Sequence, residues 1–226
     1  MNMPGIWNRE SGIGLHRIAA ALLVACATLG GCSILGGSSE PVTIYAPDPR
    51  IPADSAWPEA AWQLSISRPE AARMVDSARI VVRPSPGELQ VYKGAAWART
   101  PSEQLLDTVL RTLEDSHKIA AVARQGSGIA ADYKLEMDLR RYEADYAGNA
   151  VPAATIEVNA KLLDTADQDV VASRTFLHAV PAAGTDTALV AQAFGQALAA
   201  IGHDIAGWTL ASGDAHERSG ARVDRR

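Results

Sequence analysis

Three consecutive segments in the second half of the chain alternate apolar and polar residues, and this pattern constrains the fold most. They cover residues 133–146, 156–162 and 172–180. Alternation with a period of two predicts strands that bury one face. Short polar turns join the segments, so we predict an antiparallel meander. In the first segment the apolar phase shifts by one residue, which predicts a β-bulge near Arg140-Arg141.

Two helices are predicted around these strands. Thr100-Pro101-Ser102-Glu103 has the form of a capping box with proline in the first turn, so a helix should run from there to about Ser116. A second helix should run from Thr185 to about Leu210, because apolar residues recur there with a seven-residue rhythm. We interpret both apolar faces as packing on the sheet. A groove for a partner helix is the alternative for the second.

The first half of the chain contains shorter strand patterns. They are predicted at 43–46, 61–67, 78–83, 88–92 and 119–123, with a hairpin turn at residues 84–87. Strands, helix, strands and helix in this order predict an α+β fold: a mainly antiparallel sheet with two principal helices packed on one face. We place this single domain at residues 43–211. The polar tail, residues 212–226, is predicted to be disordered.

The N-terminus indicates the compartment. Arginines precede an uncharged apolar stretch, residues 18–29, that is too short to cross a bilayer but typical of a secretory signal. Leu29-Gly30-Gly31-Cys32 then resembles the lipobox of bacterial lipoproteins. We therefore predict a signal peptide at 1–31, and an acylated Cys32 with a flexible linker at 32–42. An ordinary signal peptide with an incidental cysteine is the alternative.

Acylation of Cys32 would tether the protein to a membrane, because two or more acyl chains give stable anchoring. The residue after the cysteine is Ser33. In enterobacterial lipoproteins an aspartate at this place retains the protein in the inner membrane. By that analogy we expect an anchor in the outer membrane of a Gram-negative bacterium, on its periplasmic face.

The sequence offers little for catalysis. The net charge is -5, so no basic excess suggests a nucleic-acid partner. Catalytic, dinucleotide and phosphate-loop motifs are missing, and we predict no cofactor, no metal and no catalytic residues. Four histidines are interpreted as structural or solvated: His117, His178, His203 and His216. The acidic run from Asp164 to Asp169 is interpreted as a hairpin turn, because the later residues of a calcium loop are missing.

Three segments resemble a known family. They are Thr43-Ile44-Tyr45, the run from Trp62 to Ile80, and a hairpin strand that ends in Tyr92 and is followed by Trp97-Ala98-Arg99-Thr100-Pro101. Together they are similar to the ABC-type transport auxiliary lipoproteins, the PqiC-like group. The chain departs from the group at Val82-Arg83, where typical members read Tyr-Arg, and in the spacer at 47–58.

The resemblance implies a protein that is not an enzyme. Such lipoproteins accompany transporters whose MCE-domain proteins move lipids between the two membranes, so the implied partner is an MCE-domain periplasmic protein. A homo-oligomer is left open. Tyr92 and Trp97 are candidate partner-binding residues if they are exposed, since aromatic side chains dominate interface energetics. Packing of Trp97 in the core is the alternative. An outer-membrane assembly scaffold and a membrane-tethered periplasmic enzyme are the other functions considered.

Overall fold

A computed structural model describes residues 41–220 of the chain. It confirms the α+β fold. The strands and helices, numbered in chain order, are β1 Thr43–Tyr45, β2 Ala60–Ile66, β3 Glu70–Ala71, β4 Arg79–Arg83, β5 Gln90–Trp97, α1 Pro101–Ser116, β6 Ile119–Arg124, β7 Tyr133–Asp145, β8 Ala153–Asp164, β9 Val170–Pro181 and α2 Thr187–Arg218. The predicted signal peptide, Cys32 and most of the predicted linker lie outside the described residues.

Strand β7 organises the sheet. It pairs antiparallel with β8 along its whole length, and β8 pairs antiparallel with β9, which confirms the meander. The register of β7 shifts between Leu139 and Arg141, and this confirms the bulge. Along its other edge β7 pairs in parallel with the short strands β2, β3 and β4. Strands β4 and β5 form the predicted antiparallel hairpin. The sheet is therefore mixed, with its longest pairings antiparallel.

The core lies between one face of the sheet and the two helices. From β7 the side chains of Tyr133, Leu135 and Leu139 point into it, and beyond the bulge so does Tyr142. The helices contribute fully buried leucine, valine, isoleucine and phenylalanine side chains: Leu105, Val109 and Leu113 of α1, and Phe194, Leu198, Ile201 and Ile205 of α2. Both predicted apolar faces thus pack in the core.

The proline-rich segment at residues 46–58, here called the strap, runs along α2. Four glycines of the helix face the strap and the start of β2, where an added Cβ would contact Pro47, Ile51, Trp57 or Trp62: Gly195, Gly202, Gly207 and Gly213. A Cβ at position 207 would lie 2.5 Å from Nε1 of Trp57. The glycines thus leave room for the bulky side chains of the strap and β2 against the helix.

The C-terminal tail differs from the prediction. Helix α2 continues to Arg218, so the predicted disorder of residues 212–226 is wrong for 212–218. Residues 221–226 lie outside the described part. The extra turns bring His216 and Glu217 to the hydroxyl of Tyr133, which lies 2.8 Å from Nδ1 of His216 and donates to Glu217 at 2.8 Å. These bonds are long-range, and a polar local composition could not reveal them.

Candidate interaction surfaces

The two aromatic residues proposed as partner anchors are not exposed. Trp97 is 3% exposed, and its ring packs edge-on against Phe194 and Tyr142 at centroid distances of 5.1 and 5.8 Å. Its proposed role as a surface anchor is therefore wrong for this fold, and the alternative of a core residue is right. Ala95 and Trp97, at the end of β5, both point toward the helices, so the Trp97 ring lies in the core.

Tyr92 is half-buried and packs against the same core. Its hydroxyl is enclosed near that of Tyr146, and no atom of residues 41–220 meets it in full hydrogen-bonding geometry. Burial, together with the neighbouring Tyr146 hydroxyl, raises the pKa of Tyr92. A partner could reach only the rim of this ring, so Tyr92 is not an exposed anchor.

The face of the sheet opposite the helices is covered by charged and polar side chains and is here called the open face. Alternation along β7 and β8 places these residues there: Lys134, Glu136, Asp138, Arg140, Glu157, Asn159 and Lys161. Leu177 of β9 adds a side chain that is 57% exposed. A polar, solvent-accessible surface of this kind is typical of the rim of a protein interface.

A buried ion network lies at the other end of the open face. Glu143 of β7 is 2% exposed and accepts two hydrogen bonds of 2.9 Å from Arg83 of β4 and one of 2.7 Å from Arg141. Arg141 also donates to Asp145 at 2.5 Å. The hydrogen bonds to Glu143 raise the pKa of the Arg83 guanidinium. The network fastens the short parallel pairing of β4 and β7.

Two polar cavities of about 360 and 470 Å³ adjoin one another and share Arg68 and Gln125. In the larger one Asp107 of α1 accepts from both Arg99 and Arg124. Arg68 stands 3.7 Å from each of Asp76 and Glu103. Acidic groups thus compensate the three arginines Arg68, Arg99 and Arg124. Within residues 41–220 no group of His, Cys, Asp or Glu side chains is arranged to hold a metal ion.

The histidines occupy three different settings. His178 of β9 lies 2.9 Å from a carboxylate oxygen of Asp204, whose other oxygen lies 3.4 Å from His203. Burial raises the pKa of Asp204, but hydrogen bonds from the two histidines outweigh it and hold that pKa below its usual range. His117 is exposed and caps α1 in a left-handed conformation. Sequence reasoning missed the pairing of His178 with Asp204 because 26 residues separate them.

Exposed apolar side chains also mark the first strand. Val42 and Ile44 are 56% and 57% exposed, whereas Tyr45 turns toward the core. None of the helices within residues 41–220 has the length and apolar character needed to span a bilayer.

Taken together, these features define an α+β domain with helices on one face of a mixed sheet and a charged, open opposite face. The chain belongs to the family described as ABC-type transport auxiliary lipoprotein component, whose model matches residues 43–206. The resemblance drawn from the sequence is thereby confirmed. No curated protein matches the chain.

Solved structures are similar to the chain to different extents. A crystal structure of protein XCC0632 from Xanthomonas campestris is similar, with 56% identity and a TM-score of 0.76, over 78% of this chain and 99% of that one. A further crystal structure, of an uncharacterized protein, has 15% identity and a TM-score of 0.55 over 70% and 97% of the two chains. A dodecamer of PelC from Paraburkholderia phytofirmans has 13% identity and a TM-score of 0.40 over 66% and 93%.

Proposed function

We propose that the protein is a lipid-anchored docking subunit of an ABC-type, MCE-protein-containing lipid transport system. Its anchor would lie in the outer membrane, with the domain on the periplasmic side. Membership of a family of transport auxiliary lipoproteins carries the proposal. The lipobox-like Leu29-Gly30-Gly31-Cys32 supports it, because the domain begins only about ten residues further on at Thr43. We further propose that it acts by binding protein and not as an enzyme.

The open face is the surface that suits such binding. It combines charges of both signs with exposed Leu177, and α1 and α2 pack on the other side of the sheet. Lys161 of β8 lies between Glu136 of β7 and Ser173 of β9 on this face, is exposed, and makes no ion pair with another described residue. A partner carboxylate could therefore pair with it without displacing an existing bond.

Capture of the partner tests this function. Affinity purification of the acylated protein from crosslinked cells should recover an MCE-domain protein. Lys161→Glu should weaken that recovery, while Arg73→Glu, which reverses an exposed charge in the loop before β4, should leave it unchanged. Recovery of a β-barrel assembly protein instead would favour the scaffold function. Equal recovery by both variants would exclude the open face as the docking surface.

Anchoring is tested separately through Cys32. Cys32→Ser should remove fatty-acid labelling and release the protein from outer-membrane fractions, because the thiol that accepts the lipid is lost. The folded domain should persist, since β1 begins well after this position. A Cys32→Ser protein that still carries label, or an acylated wild type found in the inner membrane, would contradict the proposed anchor.

A further inference from the structure

The outer edge of the sheet carries an apolar patch at the start of the domain. In β1 the side chain of Ile44 stands beside Ala96 of β5 in register, on the face away from the helices. Val42 precedes it by two residues and shares this face. We call Val42, Ile44 and Ala96 the β1 patch.

Two cations flank the β1 patch. Arg79 of β4 pairs in register with Ala96, so Ile44, Ala96 and Arg79 form one row across three strands. Lys93 of β5 is exposed where that strand bends at Gly94, which has a φ of 64°. Neither Arg79 nor Lys93 forms an ion pair with another described residue. An exposed apolar strip with unpaired cations beside it suits an interface between apolar and anionic surroundings.

The short chain between Cys32 and the β1 patch indicates which surface the patch contacts. Nine residues separate Cys32 from Val42. Fully extended, this segment reaches about 35 Å, and a Gly/Ser-rich chain of its length has a root-mean-square span of about 17 Å. An acyl anchor on Cys32 would thus hold the β1 patch within a short distance of a bilayer. Tethering at such a distance gives the patch a high effective concentration at the bilayer, so that even a weak affinity for lipid is enough for contact.

We propose that the β1 patch lies on the lipid surface that holds the anchor. Val42 and Ile44 enter the headgroup region, and Arg79 and Lys93 face anionic headgroups. This contact fixes the orientation of the domain: the β1 edge of the sheet lies at the bilayer, and Leu177 of β9, at another edge, stays in water. The inference rests on the anchoring given in the proposed function, and the experiment below separates the two.

The test compares two positions with the same exposed fraction. Ile44 and Leu177 are each 57% exposed, at different edges of the sheet. Acylation occupies Cys32 and signal cleavage would remove Cys26, so Ile44→Cys or Leu177→Cys supplies one free thiol for an environment-sensitive dye. The acylated variants are incorporated into vesicles of phosphatidylethanolamine and phosphatidylglycerol. Flotation reports anchoring, and quenching of the dye by aqueous iodide reports contact with lipid.

We expect a dye at position 44 to resist iodide and to shift its emission to the blue, while a dye at position 177 stays fully quenchable. Replacing phosphatidylglycerol with phosphatidylcholine should weaken the protection at 44. Vesicles that float but give equal quenching at both positions would overturn the inference and leave the anchor intact. Protection that grows with the number of proteins per vesicle would assign the patch to a second copy, and failure to float would overturn anchoring and inference together.

Discussion

Trp62 of β2 lies against α2 in the space that a side chain at Gly213 would occupy. The indole ring is 5% exposed and also packs edge-on against Tyr133 at a centroid distance of 5.0 Å. A glycine in a helix interior costs stability by itself, so its presence here is explained by the ring that it admits. This contact joins the start of the domain to the last turns of α2.

Gly213→Ala should therefore lower the free energy of unfolding by about 1–3 kcal/mol, because the new methyl group overpacks a rigid ring. The matched control is Gly195→Ala, whose Cβ would lie 4.0 Å from the nearest atom, on Pro47. That change should be neutral or raise stability by up to about 1 kcal/mol through helix propensity. Urea unfolding of both variants measures the difference. Equal effects at the two positions would show that Trp62 does not restrict position 213.

A second prediction concerns the buried hydroxyls of two tyrosines. Tyr92→Phe should leave stability unchanged or slightly raise it, because no atom of the described residues meets its enclosed oxygen in full hydrogen-bonding geometry. Tyr142→Phe should cost about 0.5–1.5 kcal/mol, since the Tyr142 hydroxyl donates to Gln104 at 2.8 Å. Thermal unfolding of the Tyr92→Phe and Tyr142→Phe variants measures the two changes in stability. A loss at Tyr92 that equals the loss at Tyr142 would mean that its hydroxyl is satisfied.

Glu143 should be the least replaceable carboxylate on the sheet. Glu143→Gln leaves Arg83 and Arg141 without their buried counter-charge, so we expect a loss of about 3–5 kcal/mol. Glu136→Gln serves as control: Glu136 is 42% exposed and pairs with Lys134 at 2.8 Å, so its loss should stay within about 1 kcal/mol. Chemical denaturation measures both. A similar small loss at the two positions would contradict the structural role of the network.

The carboxylate of Asp204 should contribute to stability in mild acid. Its pKa in the folded protein is held low by His178 and His203, so its contribution is present above the pKa of the unfolded chain and is lost as the pH falls through the folded value. Asp204→Asn should thus flatten the decline of Tm below about pH 4. The effect should be small, because the side chain is 43% exposed and water screens it.

Asp214→Asn provides the control for this pH series, because Asp214, on the same helix, pairs with Arg218 one turn along and, among the described residues, with no histidine. Tm should be followed from about pH 3 to pH 6, across the ordinary range of aspartate. If the wild type and Asp204→Asn lose Tm in parallel over this range, the histidines do not stabilise the Asp204 carboxylate.

Local patterns were sufficient for much of this fold. The alternation in β7, β8 and β9 predicted both their pairing and the bulge, because a period of two and its interruption are properties of neighbouring residues. The capping sequence likewise placed the start of α1 at Pro101. The parallel pairings of β2, β3 and β4 with β7 could not be predicted in this way, since each involves only two or three residues and leaves no pattern in the sequence.

The candidate site was less accessible to sequence reasoning. Tyr92 and Trp97 were proposed as anchors from residue type alone, and the direction in which β5 turns them depends on the rest of the fold. The open face and the β1 patch arise from register between distant strands. The four glycines of α2 are seven, five and six residues apart. This spacing could have indicated a helix face against which large side chains pack.

The shortness of β1 has a mechanical consequence. If the domain is held by a lipid and by a partner as proposed, a pull between them acts first on β1, whose three residues Thr43 to Tyr45 pair with β5. Its release would free residues 42–46 and lengthen the tether by about 15 Å. The strap, seated along α2 through Trp57, would then stop the extension. In the anchored and bound arrangement proposed above, residues 42–46 would thus be a reserve of chain that extends when the distance between the bilayer and the partner increases.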